Sequence, residues 1–70
     1  MDKSTLAKMM FTVAKKDMFM GKGRVIPGDF LRHLGNPKVT ITNLILAWQE
    51  TYPYFPIEQK MNVLIINFEV

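Results

Sequence analysis

Few residues in this 70-residue chain could carry catalysis. His33 is the only histidine, and the chain has no cysteine. Asp29 precedes His33 by four positions, so the two are expected to be neighbours on a helix. This spacing alone does not indicate a catalytic dyad. The spacing shows no Ser/His/Asp or paired-carboxylate arrangement, and no Cys/His set is available for a zinc site. We therefore expect neither an enzyme nor a bound metal or cofactor.

The basic and hydrogen-bonding side chains suggest contact with a polyanion instead. The first 38 residues contain eight Lys and Arg against three Asp, whereas the remainder contains one Lys against three Glu. The net charge of +3 is by itself an ordinary solubility charge. The side chains that could contact phosphates or base edges are Lys22, Arg24, Arg32, Lys38, Thr40, Thr42 and Asn43.

Most of these side chains belong to a predicted helix-turn-helix between Val25 and Trp48. Pro27 suits the first turn of a helix, and Gly35 suits a helix exit. The spacing therefore predicts helices over Pro27–Leu34 and residues 40–51, with Thr40 or Thr42 as the second N-cap. The apolar residues expected to be buried together in the angle between these helices are Phe30, Leu34, Ile41, Leu44 and Trp48.

A first helix is expected over residues 4–19, with Ser4 as its N-cap. Its apolar side is formed by Leu6, Met9, Met10 and Val13, whereas Phe11 and Met18 fall off this stripe. Residues 21–24 are predicted to form a flexible basic loop, and residues 24–26 are predicted to form a brief strand. Two prolines around Tyr54 and Phe55 predict a rigid turn after the third helix.

The tail from Met61 onward fits two structures. Ile57, Met61, Leu64, Ile65 and Phe68 have helical spacing, whereas alternate residues from Leu64 to Val70 match a strand. The β-branched and aromatic content favours the strand, which would pair with residues 24–26 or with the same strand of another subunit. We expect one small α+β domain over residues 1–70, mostly α, with a C-terminal strand.

The helix-turn-helix resembles the core of winged helix-turn-helix transcriptional regulators. The resemblance rests on PGDFL at residues 27–31, Leu34-Gly35, and TITNL at residues 40–44, about a third of the chain. It implies a winged-helix-like fold with a short strand between the first two helices. It also implies that the third helix enters the major groove of double-stranded DNA.

Two functions remain open at this point. The first is a small, dimeric DNA-binding transcription regulator. The second is a protein-interaction module, an inhibitor or adaptor of phage type that binds a host protein. Around the third helix, the residues expected to point outward are Val39, Asn43, Leu46 and Glu50, with Thr40, Thr42 and Ala47 on the flanks. Leu46 and Glu50 favour the second function, as does the absence of arginine in this helix.

The high apolar content suggests that the protein has a partner. Hydrophobic residues make up 49% of the chain, which is high for a small monomer without disulfides. We expect a homodimer or a protein partner, with Phe11, Met18 and an uncovered C-terminal strand in the interface. The sequence shows no membrane span or signal peptide, so we expect a cytoplasmic protein with no membrane contact.

Overall fold

The computed structural model describes residues 1–69, which form three helices and a four-stranded antiparallel sheet. The elements in chain order are α1 (Lys3–Lys16), β1 (Met18–Phe19), β2 (Lys22–Val25), α2 (Pro27–Leu34), α3 (Ile41–Thr51), β3 (Ile57–Lys60) and β4 (Val63–Asn67). The sheet order is β1-β2-β4-β3, and all three pairings are antiparallel. The predicted α+β class is confirmed, with a larger sheet than expected.

Helix α1 begins at Lys3, one residue before the predicted start, and its N-cap lies two residues before the predicted one. Asp2, not Ser4, is the N-cap, and its Oδ1 accepts a hydrogen bond from the backbone N–H of Thr5 at 2.7 Å. That backbone hydrogen bond is the main reason why the pKa of Asp2 lies below its usual range. The cap therefore stabilises α1 at neutral pH and is lost as the pH falls through the lowered pKa.

Helix α1 also ends earlier than predicted, at Lys16 rather than Phe19. Met18 and Phe19 form β1, and residues 20–21 make a two-residue turn into β2. Met20 and Gly21 both have positive φ, of 53° and 78°, as a tight hairpin turn requires. The flexible loop predicted over residues 21–24 is wrong, because Lys22–Val25 is a strand paired on both sides.

The two motif helices form where the sequence predicts them. Pro27 occupies the first turn of α2, and Gly35 ends it with φ 70° and an N–H bonded to the Leu31 carbonyl. Thr40 is the N-cap of α3, and the helix ends at Thr51, before Pro53. Local signals at helix ends thus place both elements.

Strand β4 settles the ambiguity of the tail in favour of a strand. It lies in the interior of the sheet between β2 and β3, so it is not the exposed edge that was expected. Arg24 pairs with Ile65 and Val25 with Leu64, which confirms one of the two predicted partners. The other neighbour, β3, was not predicted. Val70, included in the predicted strand, lies outside the described residues.

The buried face of α1 is rotated from the predicted stripe. Leu6, Ala7, Met10 and Ala14 are buried, whereas Met9 and Val13 are 38% and 39% exposed. Phe11, predicted to fall off the apolar stripe, is partly buried against the core, and its role in an intersubunit contact stays a prediction. The small side chains Ala7 and Ala14 allow neighbouring elements to approach α1 closely, and Phe11 buries a large ring on the same side.

Phe11 belongs to a set of five rings that we call the aromatic cluster: Phe11, Trp48, Tyr52, Phe55 and Phe68. Trp48 is fully buried, and its Nε1–H donates to the carbonyl oxygen of Phe55 at 2.8 Å. The Nζ of Lys15 lies 4.5 Å from the centroid of Phe68, a cation–π distance. The cluster joins α1, α3, the proline-bracketed turn and the end of β4.

The predicted core group is only partly buried. Leu44 and Trp48 are fully buried and Phe30 is 8% exposed. Leu34 and Ile41 are partly buried and pack against this core from its margin. The sheet explains the difference, because Val25, Leu64 and Ile66 fill the centre that the predicted helix pair was expected to fill alone.

Candidate nucleic-acid interface

The start of α3 is held in place by its own side chains. The Oγ1 of Thr40 accepts from the N–H of Asn43 at 3.3 Å, and the N–H of Thr40 donates to Asn43 Oδ1 at 2.8 Å. This reciprocal arrangement is a capping box. Before it, the N–H of Lys38 donates to Asn36 Oδ1 at 3.0 Å. The segment that carries Lys38, Thr40 and Thr42 is therefore rigid and exposed.

The capping box changes what Asn43 can do. Its Oδ1 accepts from both the N–H and the hydroxyl of Thr40, at 2.8 and 3.0 Å. An asparagine that reads adenine needs both its carbonyl oxygen and its amide for a bidentate contact. Here the Oδ1 of Asn43 is already occupied, so Thr42 is better placed than Asn43 to face a base edge.

Replacing Asn43 with Ala should therefore lower stability. We expect a loss of about 0.5–2 kcal/mol in the free energy of unfolding, because the reciprocal cap of α3 is removed. Urea denaturation followed by circular dichroism measures it. Thr42→Ala, one residue earlier and outside the cap, is the matched control and should change stability by less than about 0.5 kcal/mol. Equal stability of wild type and Asn43→Ala would contradict the structural role.

The outward face of α3 differs in part from the predicted one. Leu46 is 44% exposed, and Glu50 is exposed and pairs with Lys3 at 2.7 Å. Val39, expected to point outward, is partly buried against the core, and Ala47, expected on a flank, is fully buried. The face therefore offers an exposed leucine and an engaged carboxylate, with Thr42 and Asn43 exposed at its amino end.

The predicted basic residues do not form one patch. Lys22 and Arg24 alternate along β2 with the buried Gly23 and Val25, so they project from the sheet face opposite the helices. The guanidinium of Arg24 lies 3.2 Å from the carboxylate of Asp17. These two cations are therefore on a different surface from the start of α3.

Arg32 lies in the last turn of α2, and its side chain is engaged within that helix. Its Nη1 is 3.4 Å from the carboxylate of Asp29. His33 Nδ1 donates to the backbone carbonyl oxygen of Asp29 at 2.8 Å, not to its carboxylate. Asp29 and His33 are thus helix neighbours and do not form a proton-transfer pair in this geometry.

Sequence reasoning missed the tip of the β3–β4 hairpin. Lys60, Met61 and Asn62 form it, with Met61 92% exposed and in a left-handed conformation at φ 56°. Lys60 lies 3.7 Å from Glu58. The available signal was Asn62, a favoured turn residue between two segments of extended character. The hairpin supplies a basic and hydrogen-bonding tip beyond the helix-turn-helix.

Within residues 1–69, no three His, Asp or Glu side chains come together as a metal site would require. In the same part of the chain, no helix has both the length and the apolar character needed to cross a membrane.

Comparison with known proteins found no matching family model, curated protein or solved structure. The function therefore has to be inferred from the residues themselves.

Proposed function

We propose that this protein is a small DNA-binding transcription regulator of the winged helix-turn-helix type. The observation that carries the proposal is the connection of the sheet. Strand β2 lies between α1 and α2 in the chain and pairs with β4, the second strand of the hairpin that follows α3. The sequence resemblance implies a short strand between the first two helices, and here that strand joins the helix-turn-helix to the hairpin that follows it.

In this proposal the amino end of α3 contacts DNA. Thr42 faces a base edge, and Lys38 and the hydroxyl of Thr40 contact phosphates. Arg32 leaves its exposed ion pair with Asp29 and binds a phosphate instead. This exchange costs little free energy, because exposed ion pairs contribute little to stability. The hairpin tip adds Lys60 and Asn62. The amino end of an 11-residue helix also favours an anion through its dipole.

A salt titration tests this proposal. The double variant Arg32→Ala/Lys38→Ala should bind generic duplex DNA more weakly than wild type, for all sequences. The slope of log K against log salt should become shallower by about 1–2, since each lost phosphate contact removes about 0.9. Fluorescence anisotropy with a labelled duplex measures both quantities.

The matched control is Lys8→Ala/Lys16→Ala, which removes the same charge from exposed positions of α1. It should leave the slope nearer the wild-type value than the first double variant does. Equal slopes for the two double variants would show that the effect is one of net charge alone. No measurable affinity of the wild type for any duplex at low salt would end the DNA proposal.

Leu46 favours a second candidate, a protein-interaction module of inhibitor or adaptor type that binds a host protein. This leucine is exposed in the middle of α3, a helix that contains neither lysine nor arginine. An apolar residue at the centre of a surface suits a protein contact better than a phosphate contact. If DNA affinity is absent, the outward face of α3 becomes the candidate protein surface.

A further inference from the structure

The apolar surface of α1 that the core leaves uncovered lines a groove. This α1–α2 groove has a volume of about 440 Å³. Its apolar lining comes from Met9 and Val13 on α1, from Ile26, and from Phe30 and Leu34 on α2. Met9 and Val13 lie one turn apart, and so do Phe30 and Leu34, so each helix contributes a ridge.

The exposed residues of the groove are not needed for the fold. Ile26 is 48% exposed, and Met9 and Val13 are each more than one-third exposed, although α1 has a fully buried face elsewhere. A polar side chain at any of these three positions would leave the core intact. Three exposed apolar side chains that line one groove are therefore candidates for contact with a partner.

The charges around the groove indicate what covers it. Its rim includes Asp17, which pairs with Arg24 at 3.2 Å, and Asp29, which pairs at 3.4 Å with Arg32, a residue that does not itself line the groove. His33 also lines it. The rim is therefore neutral in sum, whereas the whole chain has a charge of +3. Two copies of a basic chain repel each other, and this repulsion is weakest where their facing surfaces are neutral and carry both signs.

We propose that a second copy of this chain docks on the α1–α2 groove to form a two-fold symmetric dimer. A two-fold interface requires a patch that complements itself. This patch can do so, because the exposed Met9 and Val13 of one copy can pack against Phe30 and Leu34 in the groove of the other. The rim likewise offers both acids and bases to its own copy. The proposal does not depend on DNA binding.

Sedimentation velocity over a range of concentrations tests the proposal with the full chain. The wild type should shift from monomer to dimer as its concentration rises. Met9→Glu places a carboxylate in the apolar contact and should weaken dimerisation by tenfold or more, about the effect of one unpaired buried charge. Val13→Lys is a second variant, and its side chain can pair with Asp17 at the C-cap of α1, so the helix is preserved.

The control is Leu46→Glu, an equally exposed apolar residue on α3. It should dimerise as the wild type does, and circular dichroism should show the same helix content in all variants. A wild type that stays monomeric up to about 1 mM would overturn the proposal. So would dimers that survive both groove variants, or dimers that Leu46→Glu disrupts as strongly. A monomeric wild type that still binds duplex DNA would overturn the dimer alone.

Discussion

Trp48→Ala should remove most of the stability of this domain. We expect a loss of about 3–5 kcal/mol in the free energy of unfolding, as for other buried aromatic truncations. Trp48 is fully buried, and the centroid of its ring lies 4.6 Å from the ring centroid of Tyr52 and 6.1 Å from that of Phe11. Truncation opens a cavity at the point where α1, α3 and the aromatic turn meet. It also leaves the Phe55 carbonyl without its donor.

This loss is large compared with the total free energy of unfolding of so small a domain. Single domains are stable by about 5–15 kcal/mol, and a 70-residue chain without disulfides belongs near the lower end. A substantial unfolded population of Trp48→Ala at 37 °C is therefore expected. Urea denaturation followed by far-ultraviolet circular dichroism measures it, since the variant lacks the only tryptophan.

Two comparisons show which part of the side chain matters. Trp48→Phe keeps a ring but loses the N–H donor, so it should fall between Trp48→Ala and wild type. Tyr54→Ala removes an aromatic ring from the same turn, but this ring is 61% exposed and should matter by less than about 1 kcal/mol. Similar losses for Tyr54→Ala and Trp48→Ala would contradict the central position of Trp48.

Helices α2 and α3 could be predicted from sequence because their ends depend on local chemistry. Pro27, Gly35, Thr40 and Pro53 each favour a helix boundary through their own backbone or side-chain preference. The end of α1 could not be found this way. Met18-Phe19-Met20 continues a helical apolar pattern, and only pairing with β2 makes the segment a strand. That pairing depends on residues that are not its sequence neighbours.

The orientation of α1 illustrates the same limit. Periodicity shows that the helix has an apolar side, but Met9, Val13 and Phe11 compete for it. The outcome depends on the other rings available in space, and Trp48, Phe55 and Phe68 make the Phe11 side the more favourable one to bury. The uncovered remainder became the α1–α2 groove, which sequence reasoning did not identify.

The candidate site shows a comparable division. Residue type identified Lys22 and Arg24 as possible phosphate contacts, but the sheet face they occupy follows from the register of β2 with β4. Asn43 satisfied two sequence rules at once, as a base reader and as a partner of an N-cap. The geometry gives its oxygen to the cap. The Oδ1 atom of Asn43 could cap the helix or contact a base, and only the structure shows that it accepts the hydrogen bond of the cap.

Gly23→Ala should destabilise the protein strongly for a single added methyl group. Gly23 lies on the inward side of β2, directly against α1. A Cβ there would lie 2.6 Å from the backbone oxygen of Ala14, 2.8 Å from the Ala14 Cβ and 2.8 Å from Phe68 Cε2. Because a backbone atom is among these neighbours, a rotamer change cannot relieve the contact. We expect a loss of about 1–3 kcal/mol in the free energy of unfolding, measured by urea denaturation.

A second substitution separates steric crowding from strand preference. Valine favours strands over alanine, so intrinsic preference predicts that Gly23→Val is the more stable of the two variants. Crowding against Ala14 predicts the opposite order, because the larger side chain must push β2 further from α1.

The control is Gly28→Ala on α2, where an added Cβ meets nothing within 4 Å. It should stabilise the protein by about 0.5–1 kcal/mol, because alanine is the better helix former. If Gly23→Ala were as stable as Gly28→Ala, the close contact of β2 with α1 would be wrong. The sheet would then have to sit further from the helices, and Val25, Leu64 and Ile66 could not be fully buried.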